Sequence, residues 1–192
     1  MAQGEVNEVD EIIVIGGSAG SLEVLLQLLP QLKSDFNIPI VIVLHRRQGG
    51  DSPLVELLST KTKIKVKEAE EKEIIESGSI YIVPADYHLL FEKDGSFSLD
   101  ASEKVNYSRP SIDVVFSAAA DVYASSVIGI LLSGANADGT KGFEDIKENG
   151  GVTIAQKPET AEISYMPENA INNDVVDMVL TTDEIAAYLN EL

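Results

Sequence analysis

Hydrophobic and polar positions along the chain fall into two alternating patterns: short continuous apolar runs and longer runs with helical spacing. Residues 12–15 form an apolar run that ends at a glycine pair, and residues 21–29 then place apolar side chains at helical intervals. Residues 39–44 and 53–58 repeat this order. Strands that are apolar on both faces, each followed by a helix, are typical of a parallel sheet covered by helices. The first sixty residues therefore predict two βα units of such a sheet.

The middle third of the chain has a different pattern, which predicts a β-rich segment. Lysine and apolar residues alternate over residues 63–67, as expected for a half-exposed strand at the edge of a sheet. Residues 79–83 predict another strand, and Asp94-Gly95 is typical of a hairpin turn. We therefore expect a small antiparallel β-rich insertion near residues 78–100.

The βα pattern returns after Pro110 and continues to the end of the chain. Strands are expected at 127–132, 152–155 and 175–180. Helices are expected at 111–124, in a segment that ends near 149–151, and at 167–171. A closing helix is expected to be capped by Thr182, with Glu184 nearby. We therefore predict an α/β fold of three layers, in which a doubly wound, mostly parallel sheet carries the antiparallel insertion. Residues 1–10 are expected to be disordered, and 11–192 to form one domain.

Composition narrows the function classes. The 192 residues, 44% of them hydrophobic, suit a single domain with a proper core. The absence of cysteine excludes disulfides, thiolate metal sites and cysteine nucleophiles. The chain has no apolar run of about 20 residues and begins with an acidic segment, so we expect a cytoplasmic protein without membrane insertion. A net charge of −18 disfavours nucleic acid as a partner.

The first candidate for chemistry is Ser18 in the sequence Gly16-Gly17-Ser18-Ala19-Gly20. This matches G-x-S-x-G between a predicted strand and helix, where a sharp turn exposes a serine nucleophile. Two other interpretations stay open on this motif alone: a serine that caps the helix, and a phosphate or dinucleotide loop. The dinucleotide pattern G-x-G-x-x-G fails at Ser18 and Ser21, and no P-loop lysine follows.

Two further polar residues follow predicted strands at the same edge of the sheet. His45 ends the second apolar run, and an imidazole is the usual base for a serine nucleophile. Asp138 lies in the loop after residues 127–132, where a carboxylate could orient that imidazole. A structural role for His45 and a helix cap by Asp138 are the alternatives. His88, the other histidine, is expected to be a packed or rim residue. Together, Ser18, His45 and Asp138 predict a catalytic triad.

The ordered motifs resemble a known family, the catalytic domain of the chemotaxis methylesterase CheB. The family's Gly-x-Ser-x-Gly-Gly turn, strand ending in His, Arg-Pro-Ser-x-Asp segment and Gly-Met-Gly-x-Asp-Gly loop correspond here to Gly16 to Ser21, His45, Arg109 to Asp113, and Gly134 to Gly139. The resemblance runs in order over residues 11–180. The chain departs from the family at Ser21, at Arg46-Arg47 and at Ala135-Asn136, and these departures bear on substrate preference more than on the triad.

The resemblance implies a protein-glutamate methylesterase, and an accompanying glutamine deamidase, that needs no metal or organic cofactor. It implies an oxyanion hole built from the backbone N–H groups of Ala19 and Ala135. The implied partner is the cytoplasmic helical region of chemoreceptors with methylated glutamates. The family's receiver domain normally precedes the catalytic domain, and we expect none within these residues, which makes a separate regulatory protein a candidate partner.

Three arginines are candidates for substrate binding on this acidic chain. Arg46, Arg47 and Arg109 could border the cleft and meet an acidic receptor helix, and solvated surface arginines are the alternative. Two other functions stay open. One is a non-catalytic receptor-binding module of the same fold, and the other is a nucleotide-binding domain that uses the turn from Gly16 to Ser21. Labelling by a fluorophosphonate would favour the enzyme, and thermal stabilisation by a nucleotide would favour the nucleotide-binding domain.

Overall fold

The computed structural model describes residues 9–46 and 53–192. The predicted disordered segment lies almost wholly outside this part of the chain, as does Arg47. None of the helices within the two described ranges combines the length and the apolar character needed to cross a bilayer.

Strands and helices alternate through most of the described residues. The strands are β1 (Ile12–Gly17), β2 (Ile40–Leu44), β3 (Lys65–Glu68), β4 (Ser79–Ile82), β5 (His88–Phe91), β6 (Phe97–Asp100), β7 (Val127–Leu131), β8 (Val152–Gln156) and β9 (Met178–Leu180). The helices are α1 (Ser21–Leu28), α2 (Leu54–Ser59), α3 (Ile112–Tyr123), α4 (Thr140–Glu148), α5 (Tyr165–Asn172) and α6 (Thr182–Glu191).

Seven of these strands form one sheet in the order β3-β4-β2-β1-β7-β8-β9, with every pairing parallel. Strands β5 and β6 form a separate antiparallel hairpin whose turn contains Gly95 at φ 78°. The predicted fold class is therefore confirmed. The predicted extent of the insertion was wrong, because β4 pairs in parallel with β2 and β3 and the hairpin begins only at β5. An apolar run reveals a buried strand but not the direction of its partners.

The alternation of side chains along β1 shows how the core is divided. Ile12 and Val14 point to one side of the sheet, where they pack with α3, α4, α5 and the hairpin. Ile13 and Ile15 point to the other side and pack with α1, α2 and α6. Because successive side chains on a strand face opposite ways, one apolar run supplies both cores. The result is three layers, helices on both faces of a sheet.

The closing helix begins one residue earlier than the sequence suggested. Thr181, and not Thr182, is its N-cap: the Thr181 hydroxyl accepts from the Glu184 N–H while the Glu184 carboxylate accepts from the Thr181 N–H. Two consecutive threonines offer the same capping chemistry, and the spacing of three residues to Glu184 selects the first.

The topology concentrates three loops at one edge of the sheet. The chain leaves β1 toward β2 on one side, and β7 later pairs with β1 on the other side. In register, Gly17 lies beside Leu44 and Gly16 beside Leu131. The residues that follow these three strands therefore emerge together at their carboxyl ends. Such a switch point is where open parallel sheets place their ligands.

Candidate active site

Ser18 lies in a tight turn between β1 and α1. Its N–H donates to the carbonyl of Ser133, 2.9 Å away in the loop after β7, and its own carbonyl accepts from the N–H of Ser21 at 3.1 Å. The N-cap of α1 is Gly20, in the left-handed conformation at φ 82°. The interpretation of Ser18 as a helix cap was therefore wrong, and its half-buried hydroxyl is not used to hold the helix.

His45 follows β2 and lies beside this turn. Its N–H donates to the carbonyl of Gly17 at 3.2 Å, which puts His45 and Ser18 side by side on neighbouring strands. Nε2 of the ring lies 2.7 Å from Oδ2 of Asp138, so Nδ1 is the nitrogen left for another partner. Among the described residues no hydrogen bond joins the Ser18 hydroxyl to His45. Such bonds are often long in free enzymes and shorten when substrate binds.

Asp138 is almost fully buried, with 1% of its surface exposed, and its carboxylate accepts five hydrogen bonds. The donors are His45 Nε2 and the Ile112 N–H at Oδ2, both at 2.7 Å, and Asn106 Nδ2 at 3.0 Å, Ser111 Oγ at 2.9 Å and the Asp113 N–H at 3.0 Å at Oδ1. Every oxygen lone pair has a donor, so the carboxylate is fixed in one orientation.

These donors also decide the charge of Asp138. Burial raises the pKa of its carboxyl, but hydrogen bonds from His45, Asn106 and the backbone of α3 favour the ionised form more strongly. The balance lowers the pKa of Asp138 to about 2. Asp138 therefore holds a negative charge against the imidazole across the physiological range, as a residue that stabilises an imidazolium must.

Helices α3 and α4 cap each other through exchanged carboxylates. Asp138, which precedes α4, accepts from the first N–H groups of α3, while Asp113, in the first turn of α3, accepts from the N–H groups of Gly139 and Gly142 at 2.9 and 2.8 Å. Local capping of α4 by Asp138 was therefore the wrong alternative. Gly139, at φ 102°, is the N-cap of α4 and turns the chain so that Asp138 reaches the neighbouring helix instead.

The exchange places two carboxylates close together. Burial raises the pKa of Asp113 to about 6, the Asp138 charge acts in the same direction, and the N–H groups of Gly142 and Gly139 oppose both. The two pKa values are therefore pushed apart, Asp138 downward and Asp113 upward. Of the two, Asp138 is the one that stays ionised as the pH falls.

The two candidate oxyanion donors lie in the turn that contains Ser18 and in the loop after β7, which is hydrogen-bonded to that turn. Neither the Ala19 N–H nor the Ala135 N–H donates to another residue in the described part of the chain. Ala135 follows Gly134, whose N–H and carbonyl are bound to Ile163 and Met166. A Cβ at Gly134 would lie 2.6 Å from the sulfur of Met166. The loop is therefore held close to the next segment while the N–H of Ala135 stays free to bind an anion.

Two of the candidate arginines, Arg46 and Arg109, are hydrogen-bonded within the chain. The Arg46 guanidinium donates to the carbonyl of Val83 at 2.7 Å and to Glu68 at 3.2 Å. The Arg109 guanidinium donates to the carbonyls of Ala101 and Ser102. Their contact with a substrate stays a prediction, and Arg47 lies outside the described residues.

The phosphate-loop alternative meets an obstacle at the start of α1. A Cβ built at Gly20 would lie 3.1 Å from Oε2 of Glu162, so a carboxylate already stands next to this helix N-terminus. A phosphate there would face that charge directly. The geometry therefore disfavours nucleotide binding at this turn.

Comparison with known proteins identifies the family. The model of the CheB methylesterase family matches residues 13–189, nearly the whole chain. The chain belongs to the CheB methylesterase family. A crystal structure of the Thermotoga maritima CheB methylesterase catalytic domain superimposes with a TM-score of 0.91 at 38% identity, covering 94% of this chain and 97% of that one. The predicted family is therefore confirmed.

Curated CheB relatives differ in how much of their length is matched. A Leptospira interrogans protein with the provisional name protein-glutamate methylesterase/protein-glutamine glutaminase is 51% identical over 92% of this chain and 91% of its own length. The protein-glutamate methylesterase/protein-glutamine glutaminase of Thermotoga maritima is 38% identical over 95% of this chain but only 54% of its own length. This chain thus spans about half of the longer relatives.

Sequence reasoning missed the residues that hold Asp138 in place. Ser111 and Asp113 belong to the CheB-like Arg-Pro-Ser-x-Asp segment, so a signal for them existed without a role attached to it. Asn106 had no such signal, because an isolated asparagine in a polar loop is typical of any turn.

Proposed function

We propose that this CheB-family chain is a serine hydrolase that removes methyl groups from γ-glutamyl methyl esters of chemoreceptors. The observation that carries the proposal is the 2.7 Å contact between His45 Nε2 and buried, ionised Asp138, directly beside Ser18 at the switch point of the sheet. A serine, an imidazole and an ionised carboxylate in this relation are the groups that acyl transfer requires.

In the proposed mechanism, the Ser18 hydroxyl attacks the ester carbonyl while Nδ1 of His45 takes its proton. The negative charge that forms on the carbonyl oxygen is received by the N–H groups of Ala19 and Ala135. Nδ1 then returns the proton to the departing methoxide, so methanol leaves and a glutamyl ester of Ser18 remains. Water repeats the cycle, restoring Ser18 and releasing a glutamate side chain. Asp138 stabilises the imidazolium in both halves of the reaction.

The same steps would deamidate glutamine, with ammonia in place of methanol as the leaving group, in line with the paired activities in the names of the relatives. The substrate we propose is the cytoplasmic helical region of a chemoreceptor, and we therefore propose that the chain acts in the cytoplasm. A separate regulatory protein is the further partner that we propose.

Methanol release from a methylated receptor tests this proposal. Ser18→Ala and His45→Gln should each lower the rate on the order of 10⁴- to 10⁶-fold, because nucleophile and base act as one unit. Ser59→Ala, on the exposed side of α2, is the matched control and should keep the parent rate. Equal rates for Ser18→Ala and the parent protein would refute the mechanism.

A second measurement separates the enzyme from a receptor-binding module of the same fold. A fluorophosphonate should add its mass to the parent protein and not to Ser18→Ala, since only an activated serine reacts. A non-catalytic module would bind the methylated receptor, release no methanol and remain unlabelled.

A further inference from the structure

The segment of residues 101–108, here called the strap, joins the hairpin to α3 across the carboxylate pair. Its first part is anchored through carbonyl groups: Arg109 donates to Ala101 and Ser102, and Nε2 of buried His88 lies 3.0 Å from the carbonyl of Glu103. Its second part closes on itself, because Val105 and Ser108 exchange two backbone hydrogen bonds. The strap is therefore a fixed element in this structure.

Asn106 stands at the tip of the strap and reaches both carboxylates. Its Nδ2 donates to Asp113 at 2.7 Å and to Asp138 at 3.0 Å. The backbone of Asn106 has φ 50° and that of Tyr107 has φ 62°, both in the left-handed region. Asparagine tolerates this conformation better than most residues, so one side chain meets the needs of the turn and bridges two buried acids.

We propose that Asn106 is a positioning residue for the reaction, which it serves by keeping the carboxylate of Asp138 ionised and aimed at His45. This inference rests on the proposed function. Two neighbouring carboxylates lower their repulsion by sharing a proton unless a donor lies between them. The Asn106 amide supplies two N–H bonds at that point. Without it, Asp113 and Asp138 would retain a proton at higher pH, and Asp138 would stabilise the imidazolium less well.

Few other ionisable groups act on this pair. His45 faces Asp138 directly. Lys141 and Glu144 line the cavity on the α4 side, and Lys141 is already bound to Glu144 and Asp145 at 2.9 and 2.8 Å. Arg109 and His88 face backbone carbonyls of the strap, as described above. The pH response of the pair should therefore be governed by its own hydrogen bonds.

The test replaces Asn106 with leucine, which has a similar volume and no donor, and with glycine, which has no donor and accepts the positive φ, and it follows kcat/KM for methanol release from pH 5 to 9. We expect the acidic limb of the profile to move upward by about one pH unit, which lowers kcat/KM roughly 10-fold near pH 5, about 2-fold near pH 7 and hardly at all at pH 9. KM should change little. Asn190→Leu is the control, because Asn190 also holds two backbone groups, the Lys33 N–H and the Gln31 carbonyl, but lies far from the site.

If the role of Asn106 were purely structural, its replacement would lower the rate equally at all pH values, as Asn190→Leu would if it disturbed folding. An equal loss at all pH values in Asn106→Leu would overturn the proposal. Carbon-13 NMR titration of the Asp113 and Asp138 carboxyls supplies a readout that does not depend on catalysis. A parent protein that releases no methanol, combined with carboxyl titrations that move upward in Asn106→Leu, would refute the function and leave only the effect of Asn106 on the ionisation of the two carboxyls. An active parent with unmoved titrations and an unmoved profile would refute the positioning role alone.

Discussion

Replacing Asp138 with asparagine tests the proposed triad most directly, because the structure limits what the new amide can do. Both oxygens of Asp138 accept from donors, so the NH₂ group must face a donor in either orientation. At the Oδ1 position it would face Asn106 and the Asp113 N–H. At the Oδ2 position it would face the Ile112 N–H and His45. The second orientation is the less costly, because an imidazole can change tautomer and accept, which a backbone N–H cannot do.

The magnitudes follow from that orientation. One buried backbone N–H, that of Ile112, is left without a partner, which should cost about 1–3 kcal/mol of folding free energy. The tautomer change moves the ring proton of His45 to Nδ1, where it blocks acceptance of the Ser18 proton. A comparable change in another serine hydrolase lowers kcat about 10⁴-fold, equivalent to roughly 5.5 kcal/mol of activation free energy. The catalytic loss should therefore exceed the loss of stability, and a measurable rate should remain.

The assay compares kcat for methanol release, urea-induced unfolding and the nitrogen-15 chemical shifts of the His45 ring. Asp145→Asn is the matched control, because that α4 carboxylate also accepts from a hydroxyl and a lysine but lies outside the site. It should keep the parent rate. A folded Asp138→Asn protein with parent activity, or one whose His45 ring keeps its proton on Nε2, would refute the assigned role.

Three further predictions concern the surroundings of the site. Burial raises the folded-state pKa of Asp113 to about 6, above an unfolded value of about 3.9, so the free energy of unfolding of the parent should fall as the pH rises from about 4 to 7. Asp113→Asn should remove this fall when both proteins are unfolded in urea across that range. The same pH dependence of stability in the two proteins would contradict the prediction. Gly134→Val should lower kcat about 10²-fold or more, because the valine side chain would collide with Met166 and displace Ala135. Circular dichroism should show that the variant keeps its fold. An unchanged kcat would argue against this loop as the oxyanion site. Phe143→Ala should destabilise the fold by about 3–5 kcal/mol in urea, because its buried ring stacks on Phe116 with centroids 5.1 Å apart, and a loss below about 1 kcal/mol would contradict this packing.

The sequence predicted the fold and the location of the candidate site because both depend on local patterns. Apolar runs mark buried strands, and the residue that follows each run must emerge at the carboxyl edge of a parallel sheet. Ser18, His45 and Asp138 each follow such a run. The alternation of lysines near residue 65 likewise predicted the exposed edge strand β3, which lies at one end of the sheet.

What the sequence could not predict depends on contacts between distant segments. The exchange of carboxylates between α3 and α4 joins residues about 25 positions apart, and no capping rule that considers one helix at a time can reveal it. The position of Asn106 depends on anchors at His88 and Arg109, which come from two different elements. The parallel pairing of β4 likewise follows from the order of strands in space and not from its own residues.

The exchange of caps between α3 and α4 has a consequence for how sequences of this family are interpreted. Asp138 fills the N-terminus of a helix as well as contacting His45, so a descendant that abandoned catalysis would still be under selection to keep it for folding. Retention of this aspartate is therefore weak evidence that a paralogue is active. The hydroxyl of Ser18 carries no structural hydrogen bond to another described residue, so its loss would be tolerated once the chemistry was no longer needed. The proposed nucleophile, Ser18, is therefore a more informative position than Asp138 for judging whether a related chain is an enzyme.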